Sequence, residues 1–167
     1  NTFKTFKNSP YKFSVNLSVE DILNEEVTSF IYNELSSGNI GKRMVIEIIE
    51  SEGIENFSLV SKFIKEIKEY GVEISIDDFG TGYSNFEYLI QLDVDYIKID
   101  ASMIKNIDTD QNSKMVVQTI VEFAKKMDIK TVAEYVYSKE VYDIVKEIGV
   151  DYAQGYYFGK PSQNIGS

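Results

Sequence analysis

The chain has no cysteine and no histidine. That removes disulfide frameworks, thiolate or imidazole zinc sites, thiol nucleophiles and every triad built on an imidazole. Acid-base or metal chemistry must come from Asp, Glu, Lys, Asn, Gln or Tyr. Basic charge is scarce as well: 17 Lys and Arg stand against 27 Asp and Glu, a formal net charge of −10. A protein this acidic lacks the broad basic face that duplex DNA or an anionic lipid surface favours, so neither is an expected partner. A small anion remains within reach where metal ions reverse the sign of the field inside a cleft. No uncharged run approaches the roughly 20 residues of a membrane span. Asn1 to Lys7 holds no apolar stretch of the signal-peptide kind, and the start at Asn1 leads us to expect a piece of a longer protein.

What is present is a core. Hydrophobic residues make up 43% and aromatics 13% of 167 residues, enough for one domain, or one domain with an appendage. No Pro-rich linker or composition break marks a boundary. Short apolar runs alternate instead with segments of helical period. Phe13–Leu17 reads as the first strand; Ser18 and Asp21 are spaced for a capping box, and Ile22, Leu23, Val27, Phe30, Ile31 and Leu35 recur on one helical face. Met44–Ile49 is the next strand, and its helix carries Leu59, Val60, Phe63, Ile64 and Ile67 before Gly71. A strand at 72–76 leads into the turn from Asp77 to Ser84 and a short helix to about Leu92. Strands follow at 94–99, 129–133 and 150–153, separated by a long helix from about Ser113 and a last helix with Val141, Ile144, Val145 and Ile148, ended by Gly149.

This alternation predicts an α/β fold with a parallel sheet. Asn16, Glu47, Asp77 with Asp78, Lys98, Glu134 and Gln154 fall one group per strand, near its C-terminal end. In a parallel barrel those ends share one mouth, whereas an open sheet gathers its site at a single switch point. A TIM-like (β/α) barrel is therefore the expected fold. A full one takes about 250 residues and eight units. This chain supplies about six, so an incomplete barrel with two uncovered edges is expected.

The carboxylates Glu47, Asp77, Asp78 and Glu134, with the Asn16 amide, make an oxygen-only set that suits Mg²⁺ or Mn²⁺. Two such ions sharing a carboxylate are the usual apparatus for displacement at phosphorus. The plainer reading of any single acid is a turn former or helix cap. Asp77 and Asp78 are adjacent, so in a strand they point to opposite faces; the glycines of Phe79-Gly-Thr-Gly82 offer a way out of strand geometry. Lys98, in Tyr96-Ile-Lys-Ile-Asp100, is an inward-facing cation that a carboxylate cluster would pair, with a structural pair to Asp100 or a Schiff-base role as rivals. Glu50 and Gln154 carry weaker cases. Tyr156, Tyr157 and Phe158 read as core or rim packing, and the Lys/Glu face from Lys62 to Glu69 as solvated surface.

Asp77-Asp-Phe-Gly-Thr-Gly-Tyr-Ser84 after a hydrophobic strand resembles the EAL-domain family of metal-dependent cyclic di-GMP phosphodiesterases. Val15-Asn-Leu-Ser18, Glu47-Ile-Ile-Glu50, Ile97-Lys-Ile-Asp100, Val132-Ala-Glu134, Gln154-Gly-Tyr156 and Lys160-Pro161 follow the family's order. The resemblance implies metal ligands at Asn16, Glu47, Asp77, Asp78 and Glu134, for a two-metal site in the complete domain. It implies catalytic roles for Lys98, Glu134 and Asp100, a loop anchor at Glu50, and substrate or loop positions at Thr81, Gly82, Gln154 and Pro161. The implied reaction is hydrolysis of cyclic di-GMP to linear pGpG, in a cytoplasmic bacterial signalling protein with upstream sensor or synthase domains and a homodimeric state. Residues 1–161 would be the C-terminal portion of the domain and 162–167 a tail.

Two departures stand out. No Glu-Ala-Leu segment is present, which fits the missing units, and Tyr135-Val-Tyr137 stands where the family usually has Gly-Val-Glu. The segment alone is therefore expected to be weak or inactive. A domain that binds cyclic di-GMP or dimerises without cleaving it is the alternative, and a Schiff-base lyase a distant third.

Overall fold

The computed structural model describes residues 10–38, 40–49, 57–80 and 86–161. They form two compact units, divided after Tyr96.

The first unit carries β1 (Phe13–Leu17), β2 (Met44–Ile49) and β3 (Glu73–Phe79), parallel and in chain order. Between β1 and β2 lie α1 (Val19–Leu23) and α2 (Glu25–Ser37); α3 (Phe57–Lys68) precedes β3, and α4 (Phe86–Leu92) follows it. The expected capping box is formed: Ser18 Oγ accepts the Asp21 N–H, and Asp21 returns its carboxylate to the Ser18 N–H. The single helical face expected from Ile22 to Leu35 is instead two helices. Asn24 ends α1 in extended geometry, and its side chain accepts the N–H groups of Glu26 and Val27 to start α2. Ile22, Ile31 and Leu35 are buried, while Leu23 and Phe30 are exposed. In β2 burial alternates, with Met44, Ile46 and Ile48 fully covered. Val60, Phe63, Ile64 and Ile67 of α3 are buried too, but Leu59, expected on that stripe, lies 54% exposed on the opposite side.

Lys62 to Glu69 is not merely solvated surface. Glu66 accepts the Tyr32 hydroxyl at 2.6 Å, and Lys68 donates to the Asp93 carbonyl and pairs with Asp95 at 3.2 Å. Asp95 also accepts the Ile74 N–H at 2.7 Å, and so takes the place of a ladder bond beside β3.

The second unit holds β4 (Tyr96–Ile99, from Ile97 on), β5 (Lys130–Ala133) and β6 (Tyr152–Ala153), in that order. Between them run α5 (Ala101–Ile104), α6 (Gln111–Lys126) and α7 (Lys139–Ile148). The sequence did not suggest α5; Asp100 creates it by capping the Ser102 N–H at 2.8 Å. β5 and β6 are parallel, and Gly149 ends α7 with φ 88°, as its placement led us to expect. β6 is two residues and not four. Val150 closes the helix by donating to the Val145 carbonyl, while the Asp151 carboxylate accepts both the N–H and the hydroxyl of Thr131. Val141 and Val145 of α7 and Val117, Ile120, Val121 and Ala124 of α6 are buried. Among the described residues no helix is long and apolar enough to cross a membrane.

Candidate active site

In the first unit the parallel register sets the polar groups in rows. Asn16 on β1 faces Glu47 on β2, and Glu47 faces Ser75 on β3. Two residues further along, Ile49 faces Asp77. The alternation of β2 puts Glu47 on the face opposite Met44, Ile46 and Ile48, where it is half-buried. Sequence reasoning passed over Ser75. It is 2% exposed, and its hydroxyl is buried without a hydrogen-bond partner among the described residues, on the row of the Asn16 amide and the Glu47 carboxylate.

The adjacent acids at the end of β3 escape the alternation differently from expectation. The backbone leaves strand geometry at Asp78 itself, with φ 54°, one residue before Phe79 and two before Gly80. The Asp78 N–H donates to Asp77 Oδ1 at 3.0 Å. Each aspartate can then offer an oxygen within 4.8 Å of the other's. Two carboxylates that close repel unless a cation lies against them. A left-handed aspartate costs about 1 kcal/mol or more, the kind of strain that collects at functional sites. Glu50, Thr81 and Gly82 lie outside the described residues.

In the second unit Lys98, 8% exposed, pairs with Glu134 Oε1 at 2.9 Å. Gln154 Nε2 donates to the same oxygen at 2.5 Å. The Glu134 N–H donates to the Ile99 carbonyl, which fixes that residue just past β5. A lysine this buried is tolerated because the carboxylate answers its charge. Removing either partner of such a pair costs about 3–5 kcal/mol. Asp100, two residues on from Lys98, gives one oxygen to the α5 cap.

Glu134 and Gln154 open on a cavity of about 980 Å³, also lined by Tyr135, Tyr137, Lys160 and Pro161. Beneath it the chain after β6 crosses Val136 closely: a Cβ on Gly155 would stand 2.2 Å from the Val136 carbonyl oxygen, so only glycine fits. Tyr156, Tyr157 and Phe158 are not core; all three are more than 40% exposed, and the last two pack with Tyr142 in a surface cluster.

The EAL domain family model matches residues 1–161. The cyclic di-GMP phosphodiesterase PdeA of Borreliella burgdorferi is 32% identical over 162 residues, 95% of this chain and 24% of that protein. The chain thus spans about a quarter of that curated relative's length. Among solved structures, an EAL domain protein of Listeria monocytogenes EGD-e superposes with a TM-score of 0.85 at 31% identity, covering 95% of this chain and 64% of that one. Klebsiella pneumoniae BlrP1, solved with calcium and cyclic di-GMP, gives 0.85 at 25% identity, with 96% and 42% covered. The same protein has been solved with manganese and cyclic di-GMP. The fold class is thereby the TIM-like (β/α) barrel, and the described residues supply six parallel-sheet strands of it.

Proposed function

The chain belongs to the EAL-domain family, and on that footing we propose that it serves the hydrolysis of one phosphodiester bond of cyclic di-GMP, releasing linear pGpG. The observation that carries this reading is Lys98: a cation almost wholly withdrawn from water, held by Glu134, whose carboxylate Gln154 also grips at the mouth of a nucleotide-sized cavity. Such an ammonium is costly as mere structure and useful as a fixed positive charge beside a phosphate.

The donor set fits a hard divalent cation. It is oxygen-only, and two of its carboxylates converge within 4.8 Å. Asn16, Glu47, Asp77, Asp78 and Glu134 are the residues proposed to hold Mg²⁺ or Mn²⁺. Bound there, the ions would acidify a water and offset phosphate charge. Lys98 orients the attacking water and a phosphate oxygen through its ammonium protons. Glu134 keeps that ammonium in place, and Asp100 holds the backbone that follows it through the α5 cap. Glu50, Thr81 and Gly82 belong to the loop after β3 in this reading, and Gln154 and Pro161 to the substrate wall. Water adds to phosphorus, the bond to the 3′ oxygen breaks, and that oxygen leaves with a proton. The same reading sets the protein in the cytoplasm, with sensor or synthase domains upstream and a homodimeric state; loss of self-association at micromolar concentration counts against the dimer.

A second reading, binding without cleavage, is favoured by Tyr137, a phenol where the family usually has a carboxylate. One experiment separates the two. The chain is incubated with cyclic di-GMP and Mn²⁺, its products are separated by chromatography, and Glu134→Gln serves as control. Product made by the parent chain and lost in the control supports the phosphodiesterase. This segment alone is expected to be weak or inactive, so calorimetric binding without product supports the second reading only when the full-length protein, assayed the same way, also makes none. Neither binding nor product overturns both for this chain.

A further inference from the structure

The backbone at Tyr135 is left-handed, φ 57°, a conformation that a bulky L-residue adopts only under constraint. The constraint is visible on both sides. Glu134 N–H donates to Ile99, Val136 N–H donates to the Gln154 carbonyl at 3.0 Å, and the Val136 side chain is fully buried. A glycine would satisfy this turn without strain. A tyrosine stands there instead, 50% exposed, its ring lining the cavity beside Glu134. Its partner is Tyr137, edge-on at 5.7 Å between ring centroids and 61° between planes. The Tyr137 hydroxyl donates to the Lys105 carbonyl at 3.3 Å, so that ring is braced at both ends.

Resting on the cyclic di-GMP reading above, we infer that Tyr135 and Tyr137 are affinity-determining residues, the aromatic wall on which one guanine base of the ligand stacks. Both rings line the cavity, and a purine offers a flat π surface of the kind that packs on aromatic rings. Gln154 has its amide N–H committed to Glu134, which leaves its carbonyl oxygen as acceptor for a ring N–H of the base. The cavity, about 980 Å³, has room for a nucleotide and not only for a base. Phe158 and Tyr156 line the same cavity, but Phe158 is engaged by two rings, Tyr142 and Tyr157, and Tyr156 by the Lys160 ammonium, 5.8 Å from its centroid. The backbone strain at Tyr135 is then the cost of keeping a ring where the turn asks for glycine.

The test is calorimetric titration of the full chain with cyclic di-GMP in calcium, the ion present with that ligand in the BlrP1 structure. Tyr135→Gly and Tyr135→Ala are expected to weaken binding about tenfold or more, and Tyr135→Phe to stay within about twofold. Thermal melts run alongside should place Tyr135→Gly above Tyr135→Ala, because only glycine relieves the left-handed strain. The glycine variant therefore keeps the test sharp even if the alanine variant folds poorly. Binding by Tyr135→Gly as tight as by the parent chain overturns the inference and leaves the phosphodiesterase reading standing. No binding by the parent chain overturns both.

Discussion

Aspartates stand at both ends of these strands and do opposite work. At the starts, Asp95 and Asp151 occur in the same three-residue step, Val-Asp-Tyr, at 94–96 and 150–152. Each unit has one. Asp95 accepts the N–H of Ile74 at 2.7 Å, and Asp151 accepts that of Thr131 at 2.9 Å. Both are charge-matched, by Lys68 at 3.2 Å and Lys130 at 3.6 Å. At the end of β3, Asp77 and Asp78 bring oxygens within 4.8 Å of each other, with Asp78 itself left-handed. The first pair satisfies a backbone donor that the ladder leaves over; the second concentrates negative charge. Barrel proteins divide labour this way, with stability at the strand starts and chemistry at the strand ends.

The comparison breaks most sharply if the two ends respond alike to mutation. The largest effect belongs to the strand end. Asp77→Asn or Asp78→Asn should lower Mn²⁺ affinity by at least about tenfold to a hundredfold, judged by what the loss of merely supporting groups costs at metal sites. In metal-free buffer the same variants should melt close to the parent temperature, because Asn keeps an acceptor oxygen at each position. A drop in melting temperature with metal affinity intact would make these acids structural.

At the strand start the signs reverse. Asp151→Ala removes the acceptor shared by two Thr131 donors, the N–H and the hydroxyl, on a residue only 1% exposed. An orphaned buried donor costs about 1–3 kcal/mol. For a chain of this size each kcal/mol shifts the melting temperature by about 2–4 °C. Asp151→Ala should therefore melt several degrees lower and bind Mn²⁺ as before. Asp151→Asn keeps one acceptor oxygen and should recover part of the loss.

How far all this could be read from residues alone depends on the range of the interaction. β1 and β2 come out where their apolar alternation put them, and the Ser18–Asp21 box and the Gly149 stop are local signals that the structure repeats. The split at Asn24 was missed because Ile22 to Leu35 keeps a helical period straight through it; only the cap chemistry marks the break. β6 was drawn too long because Val150 and Asp151 look like strand residues, although their bonding goes to α7 and Thr131. Near the proposed site, Glu134 as partner of Lys98 was anticipated only as a cluster, since 36 residues separate the two. The positive φ of Tyr135 has no signal in the residue itself, because glycine usually marks that conformation; the one pointer is that Tyr135 stands where the family usually has glycine. Ser75 gave no signal, being one hydroxyl in an apolar strand. The repeated Val-Asp-Tyr is local, but the N–H that each aspartate accepts lies on the preceding strand, beyond the reach of a local pattern.

The smallest effect extends the comparison to a third structural aspartate. Asp110 caps α6, accepting from the N–H of Asn112 at 3.0 Å and from the hydroxyl of Ser113 at 2.7 Å. The Ser113 hydroxyl first, and the Asn112 N–H next, hold its carboxyl below the ordinary value of 3.8. A group whose pKa is depressed by folding adds stability above its unfolded pKa and loses it as pH falls through the folded one. Asp110→Asn keeps an N-cap acceptor but neither titrates nor offers charge to the helix dipole. The parent chain should melt slightly higher than Asp110→Asn at pH 7, and that margin should shrink on acidification below pH 3.8. A margin that stays constant from pH 7 down to that range would mean the cap works through its geometry alone. The charge at Asp110 would then be as idle in folding as the charges of Asp77 and Asp78 are expected to be in metal-free buffer.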